Sequence, residues 1–148
     1  MKKITIILSF LLPLYLFAQN AYHAPAKVQS SFHRDYPDAN DARWRQTNGR
    51  WNATFNDRSS SDNGEMMARY DRYGRRVDSH VRYDRNDVPA PVMDRVQRRY
   101  AGSRNHRFTR IEDADGNGFF QVSLYLRGRN RVIYMDEQGH ERRYSPRY

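Results

Sequence analysis

Two stretches of this chain carry the same arrangement of apolar positions: Pro25, Val28, Phe32 and Tyr36 recur, at one constant offset, as Pro89, Val92, Val96 and Tyr100. A spacing of four keeps these apolar side chains on one side of a helix. Proline suits a first helical turn, where its missing N–H has no partner to lose. The pattern therefore predicts two amphipathic helices, at 25–36 and 89–100, each opening a structural unit.

After Pro37-Asp38 the period changes from four to two. Residues 42–47, then Asn48-Gly49, then residues 50–55 form a hairpin signature, because Asn-Gly supplies both positive-φ positions of a tight turn. That turn sets Thr47 against Arg50, Gln46 against Trp51, Arg45 against Asn52, Trp44 against Ala53, Arg43 against Thr54 and Ala42 against Phe55. One side carries Trp44, Trp51, Ala53 and Phe55; the other carries Arg43, Arg45, Arg50, Asn52 and Thr54. Beyond a polar loop at 57–64, strands at 65–70 and 75–83 flank Asp71-Arg72-Tyr73-Gly74. In the last of these, Val77, Val81 and Tyr83 alternate with Arg76, Asp78, His80 and Arg82, as in a sheet with one buried and one wet face.

The second half repeats this order. Phe120-Gln121-Val122-Ser123-Leu124 echoes Trp51-Asn52-Ala53-Thr54-Phe55, and Met135-Asp136-Glu137-Gln138-Gly139 echoes Tyr70-Asp71-Arg72-Tyr73-Gly74. The turn at 113–118 replaces Asn-Gly, Gly128-Arg129-Asn130 replaces the long loop, and 142–148 supply a final strand and tail. The fold class expected is α+β: two tandem units, 19–86 and 87–148, each a helix packed on an antiparallel, about four-stranded meander sheet. Val28, Phe32, Trp44, Trp51 and Phe55 should form one core; Val92, Val96, Phe108, Phe120, Val122 and Leu124 the other. The same registers turn Arg43, Arg45, Arg50, Arg69, Arg76 and Arg82 outward in the first unit. In the second they turn out Ile111, Phe119, Tyr125, Val132 and Tyr134, an apolar set that needs a cover, either the chain's own tail or loop, the other unit, or a partner.

The N-terminal segment from Met1 to Ala18 stands apart. Lys2-Lys3, the apolar run 4–17 and the small Ala18 make the three parts of a secretory signal, so the mature chain is expected to start at Gln19 in the periplasm or outside the cell. The run is interrupted by Ser9 and Pro13 and falls short of the roughly 20 residues a spanning helix needs. No cysteine occurs in the 148 residues, which leaves no disulfide to assist the core. The formal charge of +9 rests on 26 basic against 17 acidic residues, and Lys27 is the only lysine after the signal. The basic character is thus guanidinium, which favours planar and bidentate contacts.

The paired Pro-x-x-Val helices, the Tyr36-Pro37 stop, the Ala42-Arg43-Trp44 strand start and the Tyr70-Asp71-x-x-Gly74 turn together resemble the PepSY-like, beta-lactamase-inhibitor-protein-like secreted domains of Bacteroidetes-type bacteria, across about residues 24–145. The resemblance implies an α+β architecture with helices laid across antiparallel sheet, and export. Some relatives of this architecture inhibit an enzyme through a concave sheet face. The second unit departs from the pattern at Ala101, where the first has Pro37, and in its longer 113–118 turn, and no individual functional residue carries over.

Chemical motifs are sparse. Asp113-x-Asp115-x-Asn117-Gly118 opens like a calcium loop, but position twelve is Leu124 rather than glutamate, and a hairpin turn uses the same letters. Asp113, Asp115 and Asn117 are therefore only a weak metal candidate, and no cofactor is expected. His23, His33, His80, His106 and His140 lack metal-ligand spacing, and neither a nucleophile motif nor a phosphate-binding glycine loop is present. These features favour an exported, non-enzymatic binding module acting through its sheet face, inhibitor-like or accessory to the envelope. Its candidate contacts are Arg43, Arg45, Arg50, Arg69, Arg82, Phe119, Tyr125 and Tyr134. The expected partner is a protein or an acidic envelope macromolecule rather than nucleic acid, with no membrane span once the signal is removed. The alternatives are a hydrolase or metal-dependent enzyme with a site assembled in space, or a protein binding calcium or an acidic polymer.

Overall fold

The computed structural model describes residues 23–56 and 65–144. The expected secretory signal, the 57–64 loop and the end of the tail lie outside the described residues. The order is α1 (Ala26–Asp35), β1 (Asn40–Thr47), β2 (Arg50–Asn56), β3 (Glu65–Tyr70), β4 (Arg76–Tyr83), α2 (Ala90–Arg99), β5 (Arg104–Asp113), β6 (Gly118–Leu126), β7 (Arg129–Met135) and β8 (Glu141–Arg142). All eight strands form one antiparallel sheet in sequence order. Two separate sheets are not found, because β4 pairs with β5 continuously from Asp78↔Asp113 to Tyr83↔Phe108. Two sheets would each expose an edge of unpaired backbone groups there, and joining them removes both edges.

Both helices start at their prolines. The Pro25 carbonyl accepts from the N–H groups of Val28 and Gln29, and the Pro89 carbonyl from those of Val92 and Met93. Helix α1 buries Val28 and Phe32, and α2 buries Val92 and Val96. Val81 pairs with Met66 and Tyr83 with Phe108, which places the strand residues under both helices on one face. Phe32 is the hub of the first core, with ring centroids 4.9 Å from Phe55 and 5.4 Å from Trp44. Trp51, Ala53, Met66, Ala68 and Tyr70 complete it, while Trp44 is half-buried at its margin. The second core gathers Phe108, Phe120, Val122, Leu124 and Met135 beneath α2. Between the cores runs a polar seam: Arg76 donates to Glu112 at 3.0 Å and to the Tyr36 hydroxyl at 3.3 Å, and Arg110 pairs with Glu137 at 3.3 Å.

Three hairpin turns are built alike. The N–H groups of Gly74, Gly116 and Gly139 donate to the carbonyls of Asp71, Asp113 and Asp136. Each aspartate carboxylate accepts from the N–H groups two and four residues on. Burial works against their ionisation, but these hydrogen bonds together outweigh it and hold all three carboxyls below the ordinary range.

Several registers shift by one residue from expectation. The predicted Ala42–Phe55 pair is lost to a bulge between Asn40 and Arg43, where Asp41 takes φ +59. A second bulge at Val77 pairs Arg76 with Tyr70 and turns Arg76 to the helix side, away from the outer face on which alternation puts it. The β6–β7 turn falls at Arg127-Gly128 (φ +51 and +78), one residue before the predicted position. The expected final strand is only two residues, Glu141 and Arg142.

Candidate binding face

The face of the sheet turned away from the helices holds all but one of the arginines that alternation assigns to it. Arg43 lies opposite Thr54, Arg45 opposite Asn52, and Arg50 opposite Thr47; Asn52 in turn lies opposite Arg69. They do not form a uniform basic field. Arg43 donates to Glu65 at 2.6 Å, and Arg69 is bound to Asp78 through two parallel N–H···O contacts, one of them 2.6 Å from Nε. Arg45 and Arg82 are exposed and Arg50 is half-buried.

At the middle of this face stands Asp78, fully buried in the sheet's fourth strand. Besides Arg69, it is met by His80 Nε2 at 3.1 Å, and the Tyr144 hydroxyl donates to it at 3.0 Å. Burial opposes the charge, yet the hydrogen bonds and charges of His80 and Arg69 outweigh it, so the carboxyl stays well below the usual carboxylate range. The same burial, with Asp78 nearby, pushes the Tyr144 hydroxyl up to about 12.

Tyr144 holds the tail across the apolar part of the face. Its ring lies 4.7 Å from Phe119 and 5.1 Å from Tyr134, and the Arg142 guanidinium sits 4.5 Å over Phe119. Phe119 is thereby buried to 0% exposure, as is Ile111, its partner in the neighbouring strand. Phe119 is therefore not a contact residue, which corrects its place among the candidates: the chain's own tail is its cover. Tyr134 is half-buried beside it, and Tyr125 is half-buried beneath the Arg104 guanidinium, 4.9 Å from its ring. Val132 remains 53% exposed and pairs with Ser123 between the two tyrosines. The accessible apolar strip is thus Tyr125, Val132 and Tyr134, bordered by Arg104, while Arg45 lies in β1 and Arg82 in β4.

The clamp of Asp78, Arg69 and Tyr144 has no counterpart in the sequence motifs. One signal pointed to it, since aspartate is depleted in strand interiors and here faces Arg69 in the neighbouring strand. At the predicted metal candidate, Asp113 accepts from the N–H groups of Asp115 and Asn117 and from the Asn117 side chain at 3.1–3.2 Å, so its oxygens anchor the turn. Among the described residues no three His, Cys, Asp or Glu side chains group as metal ligands, and no helix is long and apolar enough to cross a membrane.

No protein-family model and no curated protein sequence matches this chain. Solved structures do. A DUF2874-family protein of Bacteroides uniformis superposes with a TM-score of 0.72 at 18% identity, covering 82% of this chain and 88% of its own. A BLIP-like protein of Bacteroides fragilis gives 0.71 at 18% identity over 85% and 95%. A Bacteroides eggerthii protein provisionally assigned to the periplasm gives 0.71 at 16% identity over 82% and 87%. At these identities the likeness is one of fold.

Proposed function

We propose that this chain is an exported, non-enzymatic binding module that engages an acidic protein through the outer face of its sheet, in the manner of an inhibitor. The observation that carries the reading is the strip of Tyr125, Val132 and Tyr134 on a face that also presents Arg45 and Arg82 to solvent. Aromatic residues on a stiff scaffold make efficient anchors, while exposed arginines steer an acidic partner. The signal-like N-terminus, the BLIP-like neighbour and the provisionally periplasmic neighbour support this reading. The PepSY-like part of the resemblance rests on the helix and turn motifs alone.

We also infer that the sheet arose from two copies of one helix-plus-four-strand unit. Supporting this, bulges with positive φ sit at equivalent places in the two halves, at Asp41 and Asn105, and the Asp-x-x-Gly turns of Gly74 and Gly139 both abut a helix start or first turn.

Affinity capture from the native envelope with the mature chain as bait supplies the partner, and surface plasmon resonance then tests the face. Tyr125→Ala and Val132→Ala should each raise Kd about tenfold with an unchanged melting temperature. Arg45→Glu should mainly slow association and weaken its salt dependence. Wild-type affinity in both apolar variants would remove the sheet face from the reading.

A further inference from the structure

We propose that the arginine-lined hollow at the end of the sheet, where β4 leaves for α2, binds a phosphate or sulfate group carried on a larger molecule. The hollow measures about 540 Å³ and is lined by Arg82, Arg85, Arg104 and Arg107 together with Ser103 and His106. Against four guanidinium groups its lining has a single carboxylate, Asp84. None of the four arginines forms a salt bridge among the described residues, whereas Arg43, Arg69, Arg76, Arg99 and Arg110 all do. Like charges brought together without counter-charge raise the local potential and attract an anion. His106 responds to that potential: burial first, then the charge of Arg85, lowers its pKa, and the Ser103 hydroxyl lies 2.8 Å from its Nε2.

The backbone concentrates these groups. Between Arg104 and Arg107 strand β5 bulges, with Asn105 at φ +57, so Asn105 and His106 together stand against Leu124. The fold needs such a bulge at this place, since the same irregularity occurs at the matching point of the first half, between Asn40 and Arg43. It does not need this chemistry. The earlier bulge has Ala39, Asn40, Asp41 and Ala42 where the later one has Ser103, Arg104, Asn105 and His106. Ser103, Arg104 and His106 are therefore particular to the second site, whereas Arg107 has Arg43 as its counterpart in the first. Arg104 lays its face on Tyr125, which leaves its N–H edges to donate. Guanidinium forks match a tetrahedral oxyanion bidentately, and a hollow of this size leaves room for the body that bears it.

The test uses the mature chain with inorganic phosphate, mannose phosphate, and phosphatidylcholine vesicles with and without phosphatidic acid. Phosphate should shift the ring resonances of His106 saturably while those of His33, on helix α1, stay in place. Arg85→Glu and Arg107→Glu should each weaken phosphate binding at least about tenfold. Arg34→Glu, the same change of charge on α1, should not. Tighter binding of mannose phosphate than of phosphate identifies a soluble saccharide source. Sedimentation with the phosphatidic acid vesicles, reversed by free phosphate, identifies a lipid headgroup. No saturable His106 shift in the wild-type chain, or equal loss in Arg34→Glu and Arg107→Glu, overturns the proposal.

Discussion

Asp78 carries a charge in the interior of a sheet, on the face that should be wet, and the cost is met by three donors rather than by solvent. Arg69 is 20% exposed and depends on that carboxylate for its charge partner. Removing one member of such a pair leaves the other poorly solvated, so Asp78→Ala should lower unfolding free energy by about 3 kcal/mol, read as a shift in the denaturant midpoint. The pH dependence has a fixed sign. A carboxyl whose folded pKa is depressed contributes stability that is complete above its unfolded pKa of about 4 and is lost as pH falls toward the folded value. The acid limb of the stability profile should therefore be steep in the wild-type chain and flatter in Asp78→Asn. An equally steep limb in that variant would place the acid sensitivity elsewhere. Much of this residue's surroundings was legible: alternation in β4 turns Asp78 outward, and Arg69 is placed on the outer face too. Tyr144 was not, because a tail that crosses a sheet without joining it has no periodicity, and its partner lies 66 positions away.

The elements were legible where residue type and backbone demand coincide. Asn48-Gly49 fixed its hairpin register because both residues accept positive φ. Arg127-Gly128 makes a turn of the same hand, but arginine seldom adopts φ +51, so the expected turn slid one residue onward. The three Asp-x-x-Gly turns separate two demands that look identical in sequence. Gly74, Gly116 and Gly139 have φ of +80, +83 and +78. A Cβ on Gly116 would meet nothing within 4 Å, whereas one on Gly139 would lie 2.5 Å from the Pro91 carbonyl oxygen, at the start of α2. Gly116→Ala should then cost only the left-handed backbone penalty, about 1 kcal/mol. Gly139→Ala must in addition push the β7–β8 turn off the helix and should cost several-fold more, about 3 kcal/mol. Thermal melts of the two variants compare them directly. Equal losses would show that the turn does not fix the helix.

At the scale of the whole molecule, the two expected helices and an apolar cluster beneath each are present, but pattern along one strand carries no information about which foreign strand it will pair with. The β4–β5 ladder is such a pairing. It joins the halves from Asp78↔Asp113 to Tyr83↔Phe108, and around it lie Arg76–Glu112 on the helix side and Asp78–Tyr144 on the other. Each half therefore depends on the other for edge pairing and for part of a buried charge network, although each has its own apolar core. A fragment ending at residue 86 keeps Val28, Phe32, Trp51, Phe55 and Tyr70, and on apolar burial alone it ought to fold. It also exposes the whole edge of β4 and leaves Asp78 without Tyr144, which favours strand-to-strand association over a stable monomer. Expressed from residue 19 to 86, it should show a weak near-ultraviolet dichroism signal and concentration-dependent sedimentation. The full mature chain should melt in one transition with calorimetric and van't Hoff enthalpies equal. A monomeric fragment with a cooperative melt would mean that the ladder joins two finished domains rather than completing one.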